Sequence, residues 1–137
     1  MAHEKFRVEV LTPDGKVFDD EVEMVSTRTA VGSIGVLAHH EPVLAMLDPT
    51  ELRLYRTESE IVRFAQAEGY MQFAENRALL LVEEACPPEQ LDASQLRDRL
   101  QEAEHRLEEA GEDTERQRVA ERDKRRAERF LQIAEGS

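Results

Sequence analysis

The feature that most constrains this chain is a change of sequence texture at Pro87-Pro88. Before the two prolines, short alternations of apolar and polar residues are separated by turn-forming residues, a pattern typical of β-strands. From Leu91 onward nearly every residue is a good helix former, and Gly111 is the main interruption. The sequence therefore predicts two domains of different secondary structure, residues 1–88 and residues 89–137.

The first domain is predicted to contain about ten short strands. Alternation is clear from Phe6 to Val10, and the turn residues of Thr12 to Gly15 follow it. From Val22 to Ser26 the even-numbered residues are predicted to share one face. Gly32 to Gly35 is predicted to be a tight segment, and Ala78 to Val82 is a fully apolar strand. Strands of this number and spacing favour a flattened β-sandwich over a βαβ fold.

The second domain is predicted to be an antiparallel helical hairpin. Asp92 is a candidate N-cap, with Gln95 three residues later, and Gly111 marks the end of the first helix. A second capping box is predicted at Thr114 and Gln117, at the start of the second helix. The apolar seam predicted for the first helix consists of Leu96, Leu100, Ala103, Leu107 and Ala110.

Charge and motifs exclude several classes of function. The formal net charge is −12, whereas a nucleic-acid-binding protein needs a basic face, so no nucleic-acid partner is expected. No apolar run approaches the ~18–20 residues that span a bilayer, so no direct membrane insertion is expected. Phosphate-binding loops, nucleophile elbows and zinc-protease motifs are absent from the sequence. His39-His40-Glu41 lacks the spacing of a metal site, so neither a metal nor an enzymatic activity is predicted.

Three segments together resemble the epsilon subunit of F-type ATP synthases. The first runs from Leu11 to Ser26, and the second, Gly32 to Leu44, is similar to that family's Gly-x-x-Gly-Ile-Leu-Pro-Gly-His-x-Pro loop. The third, Glu68 to Phe73, resembles its Gly-Gly-Phe strand start. The segments occur in the family's order, and the helices follow where the family has its hairpin. Ala38 and His39 replace the Pro and Gly of the loop, and Glu68 replaces the first Gly of the pair.

The resemblance implies a non-catalytic subunit of the central stalk, which rotates and couples proton translocation to ATP synthesis. It implies that one face of the sandwich packs on the gamma subunit and that the loop end contacts the ring of c subunits. His40 matches the family's histidine, so Ser33, His40 and Glu41 are predicted at the ring contact. The chain would then lie at the cytoplasmic face of the cell membrane as a peripheral subunit, or at the thylakoid in a photosynthetic source.

The resemblance also implies that the helices inhibit ATP hydrolysis by extending towards the alpha and beta subunits. Seven bases occur within fourteen residues of the second helix, and they are predicted to form a regulatory basic face. A solvated helix face with internal ion pairs is the alternative for each base taken singly. The seven residues are Arg116, Arg118, Arg122, Lys124, Arg125, Arg126 and Arg129.

ATP is a weaker candidate ligand, and no other cofactor is expected. Some relatives bind ATP through an Ile/Leu-Asp-x-x-Arg-Ala motif, of which only Leu91 and Asp92 match here, because Gln95 stands in the arginine position. Arg97 and Arg99 could compensate for the lost guanidinium. The alternative function is therefore a stand-alone β-sandwich nucleotide sensor in which the hairpin acts as a clamp.

Overall fold

A computed structural model describes residues 3–136 and divides the chain into two compact units, one ending at Pro87 and the other beginning at Pro88. From residue 3 onward, the first unit contains ten strands. Their bounds are β1 Phe6–Thr12, β2 Gly15–Val22, β3 Met24–Thr29, β4 Gly32–Leu37, β5 Val43–Leu47, β6 Thr50–Tyr55, β7 Ile61–Gln66, β8 Gly69–Ala74, β9 Arg77–Val82 and β10 Ala85–Cys86.

The strands form two layers that are joined at a single cross-strand pair. One layer has the order β10-β7-β6-β3, with β4 also paired to β3, and the other has the order β5-β8-β9-β1-β2. Among residues 3–136, Thr29 of β3 and Leu47 of β5 are the only cross-strand partners between the layers. The prediction of a β-sandwich of about ten strands followed by a helical hairpin is confirmed.

The core is built from alternate side chains of both layers, as the period-2 pattern predicts. The apolar run Ala78 to Val82 lies at the centre of its layer, where β9 is parallel to β1 and antiparallel to β8. The buried cluster contains Val8 and Leu80 from this layer, and Leu52 and Leu54 from the other. Phe6 and Phe73 pack edge to face within it, with ring centroids 5.5 Å apart.

The prediction that Val22, Met24 and Ser26 share one face is wrong. Val22 is buried, whereas Met24 and Ser26 lie on the less buried side of β3. The chain leaves β2 at Val22, and Glu23 is itself buried, with its backbone N–H donating to the Tyr55 carbonyl at 2.6 Å. Its carboxylate accepts a hydrogen bond from the His3 backbone N–H at 3.0 Å. Because the alternation restarts in β3, the odd-numbered residues from Val25 onward are the buried ones.

The segment Gly32 to Gly35 forms part of a regular strand, β4, and is not the tight segment that the sequence predicted. It pairs with β3 from Gly32 to Leu37, and the turn between the two strands consists of Ala30 and Val31. Thr29 stabilises this turn, since its hydroxyl donates to the Gly32 carbonyl at 3.0 Å. Because Gly32 and Gly35 are three residues apart, they lie on opposite faces of β4.

The outer strand β2 carries a network of ion pairs. Lys16 Nζ lies 2.9 Å from an Asp19 carboxylate oxygen and 3.1 Å from one of Glu9, and Arg7 lies 2.6 Å from the other Asp19 oxygen. Lys16 and Arg7 lower the pKa of the Asp19 carboxyl, and the same carboxylate raises the pKa of Lys16. Charged side chains on an outer strand hinder its pairing with another strand.

The second unit is a single 3-10 turn, Pro88–Gln90, followed by helices α1, Ala93–Ala110, and α2, Thr114–Gly136. Asp92 is the N-cap of α1, as predicted, and its carboxylate accepts from the N–H groups of Ser94 and Gln95. Gly111 has φ 55° and ends the helix. The second capping box was wrong: Asp113, not Thr114, precedes α2, and its carboxylate accepts from the Arg116 N–H at 3.1 Å.

The two helices pack through small residues. In α1 the buried positions recur every seven residues, whereas Leu100 and Leu107 of the predicted seam are only half-buried. Alanines at these positions let two helix backbones approach more closely than leucines would, which leaves the leucines at the margin of the contact. The buried residues are Leu96, Ala103 and Ala110 of α1 and Ala120, Ala127 and Phe130 of α2.

Candidate partner-binding surfaces

The loop between β4 and β5 holds His40 in a defined position. The His40 ring is half-buried and meets the Phe73 ring edge to face at 5.8 Å, and its Nδ1 lies 2.7 Å from the Glu41 carbonyl oxygen. His39 has φ 65°, the left-handed conformation that glycine adopts most easily. Its backbone N–H donates to Asn76 Oδ1 at 2.7 Å, so the β8–β9 turn stabilises this loop.

The three residues predicted at the ring contact lie along β4 and its following loop. Ser33 is exposed near the start of β4, beside the β3–β4 turn, while His40 and Glu41 follow its other end. At about 3.3 Å per residue, the distance along the strand from Ser33 to Leu37 is roughly 13 Å. The residues therefore do not form one cluster, and the predicted contact remains a prediction that requires a partner extending along β4.

An exposed apolar tip lies beside Ser33. The Val31 side chain at the β3–β4 turn is 98% exposed, and Leu44 of β5 is 74% exposed. A groove of about 400 Å³ separates the β3–β4 hairpin from β5 and is lined by Thr29 to Ile34 and Val43 to Met46. Sequence reasoning missed this tip, although two runs without an ionisable residue, 29–38 and 42–47, mark it in a chain that is 35% charged.

A second apolar surface, here called the apolar face, crosses four strands of the same layer. Met46 pairs with Tyr70, Tyr70 with Leu81, and Leu81 with Leu11, so the four side chains form a row on one side. Met46, Tyr70 and Leu81 are 64%, 51% and 48% exposed. Sequence reasoning missed these residues because strands such as Val43–Leu47 are apolar at every position, so alternation does not indicate which side is buried.

In the helical unit, four of the seven predicted bases form a line on α2. At 100° per residue this line lies opposite the buried Ala120, Ala127 and Phe130, and Arg116, Lys124 and Arg126 lie off it. Acidic neighbours accompany the line: Arg118 lies 2.6 Å from Glu115 and lowers the pKa of that carboxyl. The residues of this arginine line are Arg118, Arg122, Arg125 and Arg129.

Ion pairs also link α1 to α2. Arg106 lies 3.0 Å from a carboxylate oxygen of Asp123, whose other oxygen is 3.3 Å from Arg122. Arg97, one of the three candidate nucleotide-binding residues, lies 3.0 Å from Glu135. Asp92 caps α1, and Arg99 is exposed on the same helix. The geometry thus gives Asp92 and Arg97 roles within the hairpin.

Between residues 3 and 136 the structure contains no group of three metal-ligating side chains. No helix in that range is long and apolar enough to span a bilayer.

Comparison with known proteins identifies the family. The model of the ATP synthase delta/epsilon chain β-sandwich domain matches residues 5–88. The ATP synthase epsilon chain of Halalkalibacterium halodurans is 34% identical over 93% of this chain and 95% of its own length. This chain belongs to the ATP synthase epsilon chain family. The epsilon chain of Rubrobacter xylanophilus is also 34% identical, over 80% of this chain and 77% of its own.

A solved structure extends the similarity of fold to both units of this epsilon-family chain. A chain in the cryo-EM structure of the Euglena gracilis mitochondrial ATP synthase, which comprises OSCP, F1 and the c-ring, aligns with a TM-score of 0.69. It is 22% identical, and the alignment covers 96% of this chain and 78% of that one. As an epsilon chain, the protein is a non-catalytic subunit of ATP synthase.

Proposed function

We propose that this epsilon chain couples the proton-driven rotor to ATP synthesis and restrains ATP hydrolysis through its helical hairpin. The arginine line on α2 carries the inhibitory part of the proposal. It gathers positive charge on one face of a separate helical unit, in a chain whose net charge is −12. Such a face suits an acidic partner surface, and the alpha and beta subunits are the proposed partners.

The sandwich supplies the proposed contacts of the rotor. The apolar face is the proposed surface for the gamma subunit, because exposed apolar rows of this kind mark protein interfaces. The surface that runs along β4 and its following loop, and that carries Ser33, His40 and Glu41, is the proposed contact with the c-ring. Through these two contacts the chain belongs to the central stalk, at the cytoplasmic face of the membrane.

Removing the hairpin tests inhibition directly. In an assembled ATP synthase, deleting residues 89–137 should raise the rate of ATP hydrolysis severalfold, because the sandwich contacts remain while the arginine line is lost. The triple variant Arg118→Gln, Arg122→Gln, Arg125→Gln should raise it in the same direction, since glutamine and arginine have similar helix propensities. The measurement is ATPase activity per assembled complex, with assembly checked by co-purification of the gamma subunit.

The matched control neutralises three exposed charges of the other helix, with Glu102→Gln, Glu104→Gln and Glu108→Gln in α1. It should leave the hydrolysis rate unchanged. An unaltered rate in the deletion would refute inhibition by the hairpin. An equal rise in the control would show that the arginine line has no special role.

We further propose that the hairpin acts without a bound cofactor. The contacts of Asp92 with the α1 N-terminus and of Arg97 with Glu135 support this, because a nucleotide would have to displace both. Calorimetric titration of the isolated full chain with MgATP should therefore give no heat of binding at sub-millimolar nucleotide. Binding in that range would favour the alternative, a nucleotide-sensing clamp, and Arg99→Gln would then test whether this end of α1 forms the site.

A further inference from the structure

All non-glycine residues with a positive φ between positions 3 and 136 lie in two loops that contact each other. His39, with φ 65°, follows β4, and Glu75 and Asn76, with φ 52° and 58°, form the turn between β8 and β9. The His39 N–H donates to Asn76 Oδ1 at 2.7 Å, and this hydrogen bond joins the loops. Left-handed residues of this kind persist when their surroundings fix them, and they cluster at functional sites. The contact between the two loops is therefore a candidate functional feature.

The turn that contains His39 is not favoured by its own residues. Residues 37–40 form a type II turn, since the His40 N–H donates to the Leu37 carbonyl at 3.2 Å and φ is positive at His39. Such a turn favours proline at its second position and glycine at its third, where this chain has Ala38 and His39. A side chain at the third position costs free energy that glycine avoids. Contacts from outside the turn must therefore hold its conformation.

Two contacts from outside the turn reach His39. Its ring Nε2 lies 2.8 Å from a Glu4 carboxylate oxygen, but the two side chains are 65% and 63% exposed, and ion pairs in such a setting contribute little. The Asn76 contact acts on the backbone itself, because Oδ1 accepts from the N–H of the residue whose φ is positive. Asn76 is half-buried, and the strands on either side of it are paired along their full length. Asn76 is therefore the principal contact that holds the turn.

The turn determines how the residues that follow it are presented. His40 and Glu41 come directly after His39 and belong to the surface proposed for the c-ring. The β8–β9 hairpin contacts this loop twice, through Asn76 at the backbone and through Phe73 at the His40 ring. We infer that Asn76 is a positioning residue for the c-ring contact, because it holds His39 in the conformation that presents His40 and Glu41. The inference rests on the proposed function.

NMR of the isolated full chain tests whether Asn76 holds the loop. Asn76→Gly removes the acceptor but keeps the turn between β8 and β9, because glycine readily adopts a positive φ. The His39 amide should then exchange with solvent about tenfold faster, as expected for the loss of one hydrogen bond. The ring-current shift that Phe73 imposes on the His40 ring protons should decrease at the same time, since the loop is no longer fixed beside β8.

Three further variants separate positioning from a general loosening of the turn. Asn76→Asp keeps an acceptor oxygen in place and should behave like the parent chain. Glu75→Gly makes the same kind of change at the exposed neighbour, whose φ is 52°, and should also leave the His40 signals unchanged. His39→Gly lets the type II turn form from its own residues, so adding Asn76→Gly to it should move the His40 signals less than Asn76→Gly does alone.

Binding to membranes tests the contact itself. The soluble sector of ATP synthase, assembled with each variant chain, is titrated onto membranes that retain the c-ring. Asn76→Gly should raise the apparent Kd about three- to tenfold, because only the fraction of chains with the loop in place can bind. Asn76→Asp and Glu75→Gly should bind like the parent. The double variant His40→Ala, Glu41→Ala removes the proposed contact and should weaken binding at least as much as Asn76→Gly.

The outcomes separate this inference from the proposed function. If Asn76→Gly binds as tightly as the parent while the His40→Ala, Glu41→Ala variant binds more weakly, the contact stands and the positioning role is overturned. Unchanged exchange of the His39 amide in Asn76→Gly, or an equal loss of binding in Glu75→Gly, also overturns that role. If neither Asn76→Gly nor the double variant weakens binding, the inference and the proposed c-ring contact fail together.

Discussion

Replacing Gly69 with alanine should strongly lower the stability of the sandwich. Gly69 lies at the start of β8, between Leu47 of β5 and Val82 of β9. A Cβ at this position would overlap the Leu81 carbonyl oxygen, and it would lie 2.7 Å from Val82 Cα and 2.9 Å from the Leu81 carbonyl carbon. All three atoms belong to the backbone, so no side-chain rotation relieves the overlap.

Relief requires β8 and β9 to separate locally, which breaks hydrogen bonds beside the core. We expect the free energy of unfolding to fall by about 3–4 kcal/mol, at the upper end of the cost of overpacking. For a unit of this size the thermal midpoint should fall by roughly 15 °C or more. Circular dichroism during heating, with urea denaturation as a second measure, gives both values.

Gly35→Ala is the matched control. An added Cβ at Gly35 meets only the Met24 sulfur, at an ordinary 3.8 Å, and the position has no positive φ. It should change the midpoint by no more than a few degrees. If Gly69→Ala were as stable as Gly35→Ala, the close approach of β9 to Gly69 would not exist in solution.

The contrast between the two glycines shows what sequence reasoning can and cannot predict. Local rules predicted the strands, the Asp92 cap and the end of α1 at Gly111, because each depends on a few neighbouring residues. Some glycines are required because the backbone of another strand approaches them closely. The neighbouring residues in the sequence do not reveal that requirement. Gly35 and Gly69 look alike in the sequence, and only the pairing of β8 with β9 distinguishes them.

The errors in the predicted faces have a similar origin. Alternation assigns faces only within one uninterrupted strand, so the break at Glu23 reversed the assignment for β3. In α1 the apolar pattern included Leu100 and Leu107, but the approach of α2 is set by alanines spaced seven apart. Strand periodicity does not indicate the apolar tip. What marks it is the absence of ionisable residues over 29–38, which bears on partner binding and not on the strand pattern.

The second large effect is expected at Gln66, which is fully buried in β7 and provides polar contacts where the layers join. Its Oε1 accepts from the Thr27 hydroxyl at 2.6 Å, and its Nε2 donates to the carbonyls of Asp48 and Ala67 at 3.0 and 2.9 Å. A buried side-chain amide is stable only when its donors and acceptors are paired, and here each is. Gln66 thus links β7 to β3 and to the turn between β5 and β6.

Gln66→Leu keeps a similar volume but leaves the Thr27 hydroxyl and the two carbonyls without these partners. Each buried polar group left without a hydrogen bond costs about 1–3 kcal/mol, so we expect a loss of about 3–5 kcal/mol in the free energy of unfolding. Gln72→Leu, at an exposed position of β8, makes the same change where water can replace the amide, and it should shift the free energy by under ~0.5 kcal/mol. Chemical denaturation of both variants measures the difference. Equal stability of the two would mean that the buried amide does not hold the layers together. The backbone hydrogen bonds from Asp48 to Arg28 and from Ala30 to Met46 would then be their principal polar link.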